Sequence, residues 1–175
     1  RNIEFSFVKR LLRGMNRGAK KYGCQLAGGD LDESDTITIS GMALGLCEGK
    51  ILTRDGAKRG DLIGITGPVG AAAAGLEVLK HRKLKSLFPE LVNAHLRPSA
   101  RVKEGILLGR NSSVTAAIDI SDGLARNLWQ IAEKSKVKIV IEEIPIHPEV
   151  KRLAEVLDIS ATKLALFGGE DYELL

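Results

Sequence analysis

The amino-acid sequence predicts an α+β fold, and three features support this prediction. Apolar residues recur at helical spacing over residues 7–22, which indicates an amphipathic helix. Apolar and polar side chains alternate over residues 36–46, which are also rich in β-branched side chains, as is typical of a strand. Helices and strands then mix along the chain without strict β-α-β alternation.

The elements are expected in the following order. Gly23 stands where a C-terminal cap of the first helix belongs. Later helices are predicted at residues 71–81, at 99–109 directly after Pro98, from 124 onwards, and at 148–157. Strands are predicted at residues 24–27, 36–46, 61–66, 114–118, 137–141 and 163–167. Because the pattern of predicted helices and strands starts again at Ile51, a domain boundary is expected near Gly49.

Composition narrows the class of protein. The chain has 175 residues, 44% of them hydrophobic, enough for one core or two small domains. A net charge of +4 is too weak a bias to indicate nucleic acid or a membrane surface as a partner. Cys24 and Cys47 are too few for a disulfide framework and match no metal-ligand spacing, which favours free thiols in the cytoplasm. The first residue is Arg1 and the last lies in an apolar run, so we expect an internal piece of a longer protein.

Small residues and carboxylates follow apolar stretches at three places. Strand ends are rigid, and glycine lets a ligand or another backbone approach closely. Carboxylate oxygens suit Mg²⁺, which usually binds through one or two carboxylates plus substrate phosphates. This pattern predicts a phosphoryl-transfer centre if the three places converge. They are Leu26-Ala27-Gly28-Gly29-Asp30, Ala117-Ile118-Asp119-Ile120-Ser121-Asp122-Gly123 and Leu166-Phe167-Gly168-Gly169-Glu170-Asp171.

Each of these motifs has a purely structural alternative. Asp30 and the pair Glu170-Asp171 could be ordinary turn residues. Ser121 is expected to cap the following helix, with Asp122 complementing the helix dipole. That role leaves Asp119 unexplained, because an unpaired carboxylate inside an apolar strand end is costly.

Candidates for binding phosphate are fewer. Arg54 lies in a predicted loop, and its guanidinium suits phosphate, although a salt bridge to Asp55 or Glu48 explains it equally simply. The turn at residues 67–72 lacks the Gly-Lys-Ser/Thr of a phosphate-binding P-loop, so we interpret it as structural. The three histidines match no triad or zinc spacing, and Trp129 is expected to pack rather than to stack on a ligand.

Two of these motifs resemble signatures of the thiamine-monophosphate kinases. They are Ala117-Ile118-Asp119-Ile120-Ser121-Asp122-Gly123-Leu124 and Gly168-Gly169-Glu170-Asp171-Tyr172-Glu173-Leu174-Leu175, the second being the more specific. Gly28-Gly29-Asp30, Thr53-Arg54-Asp55-Gly56-Ala57 and His95-Leu96-Arg97-Pro98 follow the family's order with similar spacing. The resemblance covers nearly the whole chain. It places the chain among the aminoimidazole-ribonucleotide-synthetase-like (AIR-synthase-like) ATP-using enzymes.

The resemblance implies direct transfer of the ATP γ-phosphate to thiamine monophosphate, with Mg²⁺ and without a phospho-enzyme or a catalytic acid or base. It also implies roles for individual residues: Asp30, Asp119 and Asp122 as Mg²⁺ ligands, Gly29, Asp30, Arg54 and Ser121 at the nucleotide, and Glu170 at the substrate. The sequence departs from the family at Leu31, where a threonine is usual, which affects local nucleotide contacts.

The resemblance also implies a domain organisation. Residues 1–49 would be the C-terminal part of an N-terminal nucleotide-binding and dimerisation domain, through which the protein forms a homodimer. Residues 50–175 would be most of the α/β C-terminal AIR-synthase-like domain. Because the family's upstream acidic motifs are missing, we expect these 175 residues alone to be inactive. Two alternatives stay open: a member of the same superfamily with another phosphate acceptor, and a non-catalytic module of that fold.

Overall fold

The computed structural model describes residues 3–47 and 49–175. The chain divides into two compact units, Arg1–Leu46 and Cys47–Leu175. No helix in the described ranges combines the length and the apolar character that a membrane crossing requires.

The first unit begins with the predicted amphipathic helix, α1 (Phe5–Lys21). The helix ends as expected, because Gly23 adopts a φ of 71° and its N–H donates to the carbonyl of Lys20 at 3.2 Å. The N–H of Cys24 then reaches the carbonyl of Ala19 at 2.9 Å, which satisfies another carbonyl of the last turn.

The two strands predicted in this unit, at residues 24–27 and 36–46, are wrong for this structure. Both segments are irregular and exposed, and neither forms a β ladder within the described residues. Ile37 and Ile39, two β-branched residues of the second segment, remain more than half exposed. A strand needs a neighbouring backbone to pair with, and none of the described residues pairs with this segment.

The second unit is built mainly from helices. Its α-helices are α2 (Ala71–Lys80), α3 (Pro89–Leu96), α4 (Val102–Arg110), α5 (Leu124–Ser135), α6 (Pro148–Leu157) and α7 (Ala161–Phe167). One cluster of buried side chains consists of Val69, Ile120, Leu124, Leu128, Ile131, Ala165 and Leu175. A second consists of Ala71, Ala74, Val78, Phe88, Leu91, Val150 and Leu153.

Several helices confirm the predictions, and three segments correct them. The predicted helices at 71–81, from 124 and at 148–157 are α2, α5 and α6, whereas the helix expected at 99–109 begins at Val102 and α3 was missed. Residues 163–167 are part of the helix α7, not a strand. The hydroxyl of Ser160 caps this helix by accepting the N–H of Lys163 at 3.2 Å. A five-residue apolar run does not distinguish helix from strand, and here the cap decides.

Strand pairing is limited to short contacts. Val69 pairs with Ile146 in parallel and Asp119 with Leu174 in antiparallel orientation. The segment 137–141, predicted as a strand, has no β pairing in the described part of the chain. With isolated β bridges beside many helices, the described part of the second unit is roughly consistent with the predicted α+β class.

Candidate functional site

Two of the three carboxylate motifs lie side by side in the second unit. Ile118 and Leu175 exchange two backbone hydrogen bonds, of 2.9 and 2.8 Å. The backbone N–H of Glu170 donates to the carbonyl of Ser121 at 2.9 Å, at the other end of the contact. Residues 118–121 therefore pair with residues 170–175, and the predicted convergence is present for these two motifs.

The pairing contains a β-bulge. The N–H of Tyr172 donates to the carbonyl of Ile120 at 2.9 Å, and the N–H of Ile120 donates to the carbonyl of Glu173 at 2.7 Å. Two consecutive residues thus oppose one, and Tyr172 adopts a φ of 52°. Because successive side chains of a strand point to opposite faces, Ile120 enters the core while Asp119 lies on the opposite, exposed face.

A cleft of about 730 Å³ opens on that exposed face. Its walls come from the loop 52–55, the paired segment 117–122 and one side of α5. It brings together four of the predicted site residues: Arg54, Asp119, Ser121 and Asp122. Further residues that line it are Thr53, Asp55, Asn127, Gln130 and Lys134.

The carboxylates of the cleft are accessible. Asp119 is exposed and accepts no hydrogen bond from the described residues, so the burial cost expected at this position does not arise. Asp122 is exposed as well. Two accessible carboxylates and the hydroxyl of Ser121 form an all-oxygen donor set that fits Mg²⁺, which keeps several waters and needs only one or two carboxylates. A group of three or more metal-binding side chains does not occur in residues 3–47 and 49–175.

Ser121 does not have the capping role predicted for it. α5 begins at Leu124, its N-cap is Gly123 with a φ of 98°, and the cap makes no side-chain hydrogen bond. Any side chain at position 123 would meet the backbone carbonyl oxygens of Gly168 and Leu166 at about 3 Å, so only glycine fits. The hydroxyl of Ser121 is consequently not used by the helix.

Arg54 reaches the cleft from a loop that is fixed to α5. Its Nη1 donates to Oε1 of Gln130 at 2.7 Å, and its backbone carbonyl accepts the hydroxyl of Ser135 at 2.7 Å. The alternative salt bridge to Asp55 does not form, because Arg54 makes no ion pair among the described residues. The carboxylate of Asp55 instead accepts the hydroxyl of Thr53, and this hydrogen bond lowers the pKa of Asp55. The other alternative partner, Glu48, lies outside the described residues.

Glu170 lies at a neighbouring cavity of about 550 Å³. Its carboxylate accepts the hydroxyl of Tyr172 at 2.6 Å, and its own φ is 72°. The cavity has both charged and apolar walls, formed by residues that include Leu76, Glu77, His95, Ile159, Lys163 and Phe167. The backbone contact between Glu170 and Ser121 joins this cavity to the carboxylate cleft.

Asp171 has a structural role. Its carboxylate accepts the backbone N–H groups of Gly70 at 2.7 Å and Ala72 at 3.0 Å, at the start of α2. This contact supports the structural interpretation of the turn at residues 67–72, since a protein carboxylate already occupies the end of the helix where an anion would bind. Burial raises the pKa of Asp171 above 3.8, and the two N–H donors oppose that shift.

Glu173 is buried beside this turn. Nε of Arg101 donates to its Oε2 at 2.8 Å, and Nη2 of Arg101 donates to Oε1. The hydroxyl of Thr66 donates to Oε2 at 2.5 Å and accepts the backbone N–H of Leu174 at 2.9 Å. The buried charge is therefore paired and hydrogen-bonded, as burial of a carboxylate requires.

Four further residues were considered in the sequence, and their own surroundings are as follows. Gly29 and Asp30 belong to the first unit, where both are exposed and a carboxylate oxygen of Asp30 accepts the N–H of Leu31 at 2.9 Å. His147 caps α6 through Nδ1, which accepts the N–H of Glu149 at 3.2 Å. Trp129 does not pack in the core: it is half exposed and lies under the guanidinium of Arg126, 4.7 Å from the ring centre.

The fold and the paired carboxylate motifs agree with comparisons to known proteins. The model of the family described as "AIR synthase related protein, C-terminal domain" matches residues 58–167, and that of the corresponding N-terminal domain matches residues 1–47. The chain belongs to the AIR synthase-related protein family.

Within this family the chain is similar to thiamine-monophosphate kinases, as the motifs indicated. It is 38% identical over 176 residues to that of Pyrococcus horikoshii, covering 99% of this chain and 54% of the relative. It is 36% identical over 184 residues to the thiamine-monophosphate kinase of Bacillus subtilis, and the match covers 97% of this chain and 53% of that relative. The chain thus spans about half the length of these curated relatives.

Solved structures show the same likeness. The structure described as AaThiL complexed with AMPPCP and TMP superposes with a TM-score of 0.83 at 32% identity, over 99% of this chain and 56% of that one. The thiamine monophosphate kinase from Aquifex aeolicus gives a TM-score of 0.82 at 31% identity, over 99% of this chain and 60% of that one.

Proposed function

We propose that this chain is part of a kinase that transfers the γ-phosphate of ATP to thiamine monophosphate, giving thiamine diphosphate by direct in-line transfer. The observation that carries the proposal is the hydrogen bond between Glu170 and Ser121. It joins the residue implied at the substrate to the carboxylates implied at the metal. The similar structure with bound AMPPCP and TMP supports the same pair of ligands.

Four residues of the cleft and one of the adjoining cavity have a proposed part in this reaction. Asp119 and Asp122 would hold Mg²⁺, and Arg54 and Ser121 would contact the nucleotide phosphates. Glu170 would bind thiamine monophosphate from the adjoining cavity. When bound, Mg²⁺ supplies positive charge that neutralises the transferring phosphate. The protein then acts by positioning, because the cleft offers accessible carboxylates rather than a buried group suited to act as a base.

The other proposed properties rest on the resemblance and the composition. Asp30 is proposed as a Mg²⁺ ligand and Gly29 as a nucleotide contact. Residues 1–49 are proposed to complete a nucleotide-binding and dimerisation domain, and residues 50–175 to form most of the C-terminal domain. A cytoplasmic location is proposed because both cysteines are free.

The test uses a protein of the relatives' full length that contains this chain. We expect it to form thiamine diphosphate from ATP and thiamine monophosphate only when Mg²⁺ is present. Asp119→Ala should abolish the product, whereas Asp158→Asn, at an exposed helix end whose left-handed backbone asparagine tolerates, should keep it. Phosphorylation of a different acceptor instead would favour another member of the family. ATP turnover unaffected by Asp119→Ala would sink the kinase assignment of this cleft.

A further inference from the structure

Gln130 touches two groups of the cleft with a single amide. Its Oε1 accepts Nη1 of Arg54 at 2.7 Å, and its Nε2 donates to Oδ2 of Asp122 at 3.4 Å. No motif in the sequence marked this residue, and it has no part in the proposed function above. Its place on α5 sets it between the loop 52–55 and the paired segment 117–122.

The chemistry of the two partners fixes the orientation of the amide. A guanidinium only donates hydrogen bonds, and an ionised carboxylate only accepts them. The side chain between Arg54 and Asp122 must therefore accept on one side and donate on the other. A glutamate at this position would only accept and a lysine would only donate, while asparagine would be one methylene shorter.

The arrangement keeps two opposite charges apart. Within the described residues Arg54 forms no ion pair, although Asp122 lies in the same cleft. A direct arginine–carboxylate pair is favourable and often bidentate, so it would occupy both groups at once. The guanidinium would then be unavailable to phosphate and the carboxylate to a metal ion.

The backbone of Arg54 is restrained by the same helix. The hydroxyl of Ser135 donates to the carbonyl of Arg54 at 2.7 Å and accepts the N–H of Ala57 at 3.1 Å. α5 thus fixes the main chain of the loop near its end and the side chain of Arg54 through Gln130. The position of the guanidinium is set before any ligand arrives.

We infer that Gln130 is a positioning residue, which holds Arg54 and Asp122 apart and leaves each of them open to its ligand. This inference rests on the proposed function of the cleft. It adds that binding of the nucleotide with Mg²⁺ depends on a residue that need touch neither.

The test is a double-mutant cycle in the full-length protein. Binding of a non-hydrolysable ATP analogue with Mg²⁺ is measured by calorimetry for wild type, Gln130→Met, Arg54→Ala and the double variant. Methionine fills a similar space to glutamine and favours helix, so Gln130→Met should keep the fold. If Gln130→Met does not fold, Gln130→Ala takes its place. Glu133→Gln, an exposed change on the same helix, is the matched control.

We expect Gln130→Met to weaken binding of the analogue roughly tenfold, as for loss of hydrogen bonds to charged groups. In the Arg54→Ala background, Gln130→Met should alter binding by no more than about twofold. Arg54 is then absent, so Gln130 no longer has a guanidinium to hold apart from Asp122. The inference is overturned if Gln130→Met binds within about twofold of wild type, or if the two effects multiply. If the wild-type protein itself does not bind the analogue, the proposed function fails and the inference fails with it.

Discussion

The carboxylate of Asp171 accepts the backbone N–H of Gly70 at 2.7 Å, across 101 positions of sequence. With the second bond to Ala72, it supplies the cap that α2 lacks locally, since Gly70 has no side chain to offer. The segment that carries Glu170 is thereby tied to the first turn of a buried helix.

Removing this cap should destabilise the second unit. Asp171→Ala leaves two N–H groups at the start of α2 without an acceptor, and we expect a loss of about 1–2 kcal/mol in the free energy of unfolding. Chemical denaturation measures it. Asp158→Asn, an exposed change that suits the left-handed backbone there, is the control and should be close to neutral. Equal stability of Asp171→Ala and wild type would contradict the capping role.

The pH dependence of stability should carry a signature of the same carboxyl. Burial raises the pKa of Asp171, so the folded state holds the proton more tightly than the unfolded state. Its contribution to stability is full below the ordinary value of 3.8 and is lost as the pH rises through the folded pKa. We expect the unfolding free energy of wild type minus that of Asp171→Asn to fall as the pH rises from 3.8 through the raised folded pKa of Asp171. A difference that grows with pH would show that the pKa is lowered instead.

The ion pair between Arg101 and Glu173 should show strong coupling. Arg101→Leu leaves a buried carboxylate without its cation, and we expect a loss of about 2 kcal/mol or more in unfolding free energy. The double variant Arg101→Leu/Glu173→Leu should lose less than the sum of the single changes, because it buries no unpaired charge. Additive losses in denaturant titrations would contradict a direct interaction.

Tyr172 should ionise only above its ordinary pKa. Its hydroxyl donates to the carboxylate of Glu170, and this hydrogen bond raises the pKa of Tyr172 above 10.0. The difference in phenolate absorbance between the wild-type protein and Tyr172→Phe isolates this hydroxyl and follows its titration. Adding Glu170→Ala should return the pKa towards 10.0; an unchanged titration would rule out the contact.

Two glycines in helices should respond oppositely to alanine. A Cβ at Gly75 would lie 2.0 Å from the carbonyl oxygen of Leu91, where α2 and α3 pack, so Gly75→Ala should destabilise the unit. At Gly105 in α4 the nearest atom is 3.5 Å away, and alanine there should add about 0.5–1 kcal/mol through helix propensity. Thermal unfolding of the two variants tests the pair. A stable Gly75→Ala protein would contradict the close approach.

The sequence predicted those helices whose ends and apolar face are set by residues close to one another in the chain. α6 was predicted at its exact bounds, because Pro148 at the first helical position and the apolar spacing agree. The strand predicted at 163–167 is wrong because its apolar run fits either structure, whereas Ser160 caps a helix there. Residues 36–46 have the alternation of a strand, but no described residue pairs with them, and sequence alternation alone does not supply a partner.

In the candidate site, too, residues that belong to a sequence motif could be predicted, and a residue that matters only through distant contacts could not. Asp119, Asp122 and Glu170 stood out as carboxylates beside glycine, and the structure brings their two motifs together. Gln130 could not be predicted, because a glutamine on a helix face looks like ordinary solvated surface. Its two partners lie 76 positions before it and 8 before it, and only folding joins them.

The order of the paired segments constrains how the site is assembled during synthesis. The backbone of Leu174 bonds to Thr66, while its neighbour Leu175 bonds to Ile118, so residues 171–175 lie between two segments made earlier. Leu174 leaves the ribosome 108 residues after Thr66. Such distant contacts close slowly, since the loop entropy is lost before the pairing is gained. The residues that line the cleft are all made by residue 134, whereas the contact between Glu170 and Ser121 that joins the cleft to the neighbouring cavity forms only after residue 170 has been added.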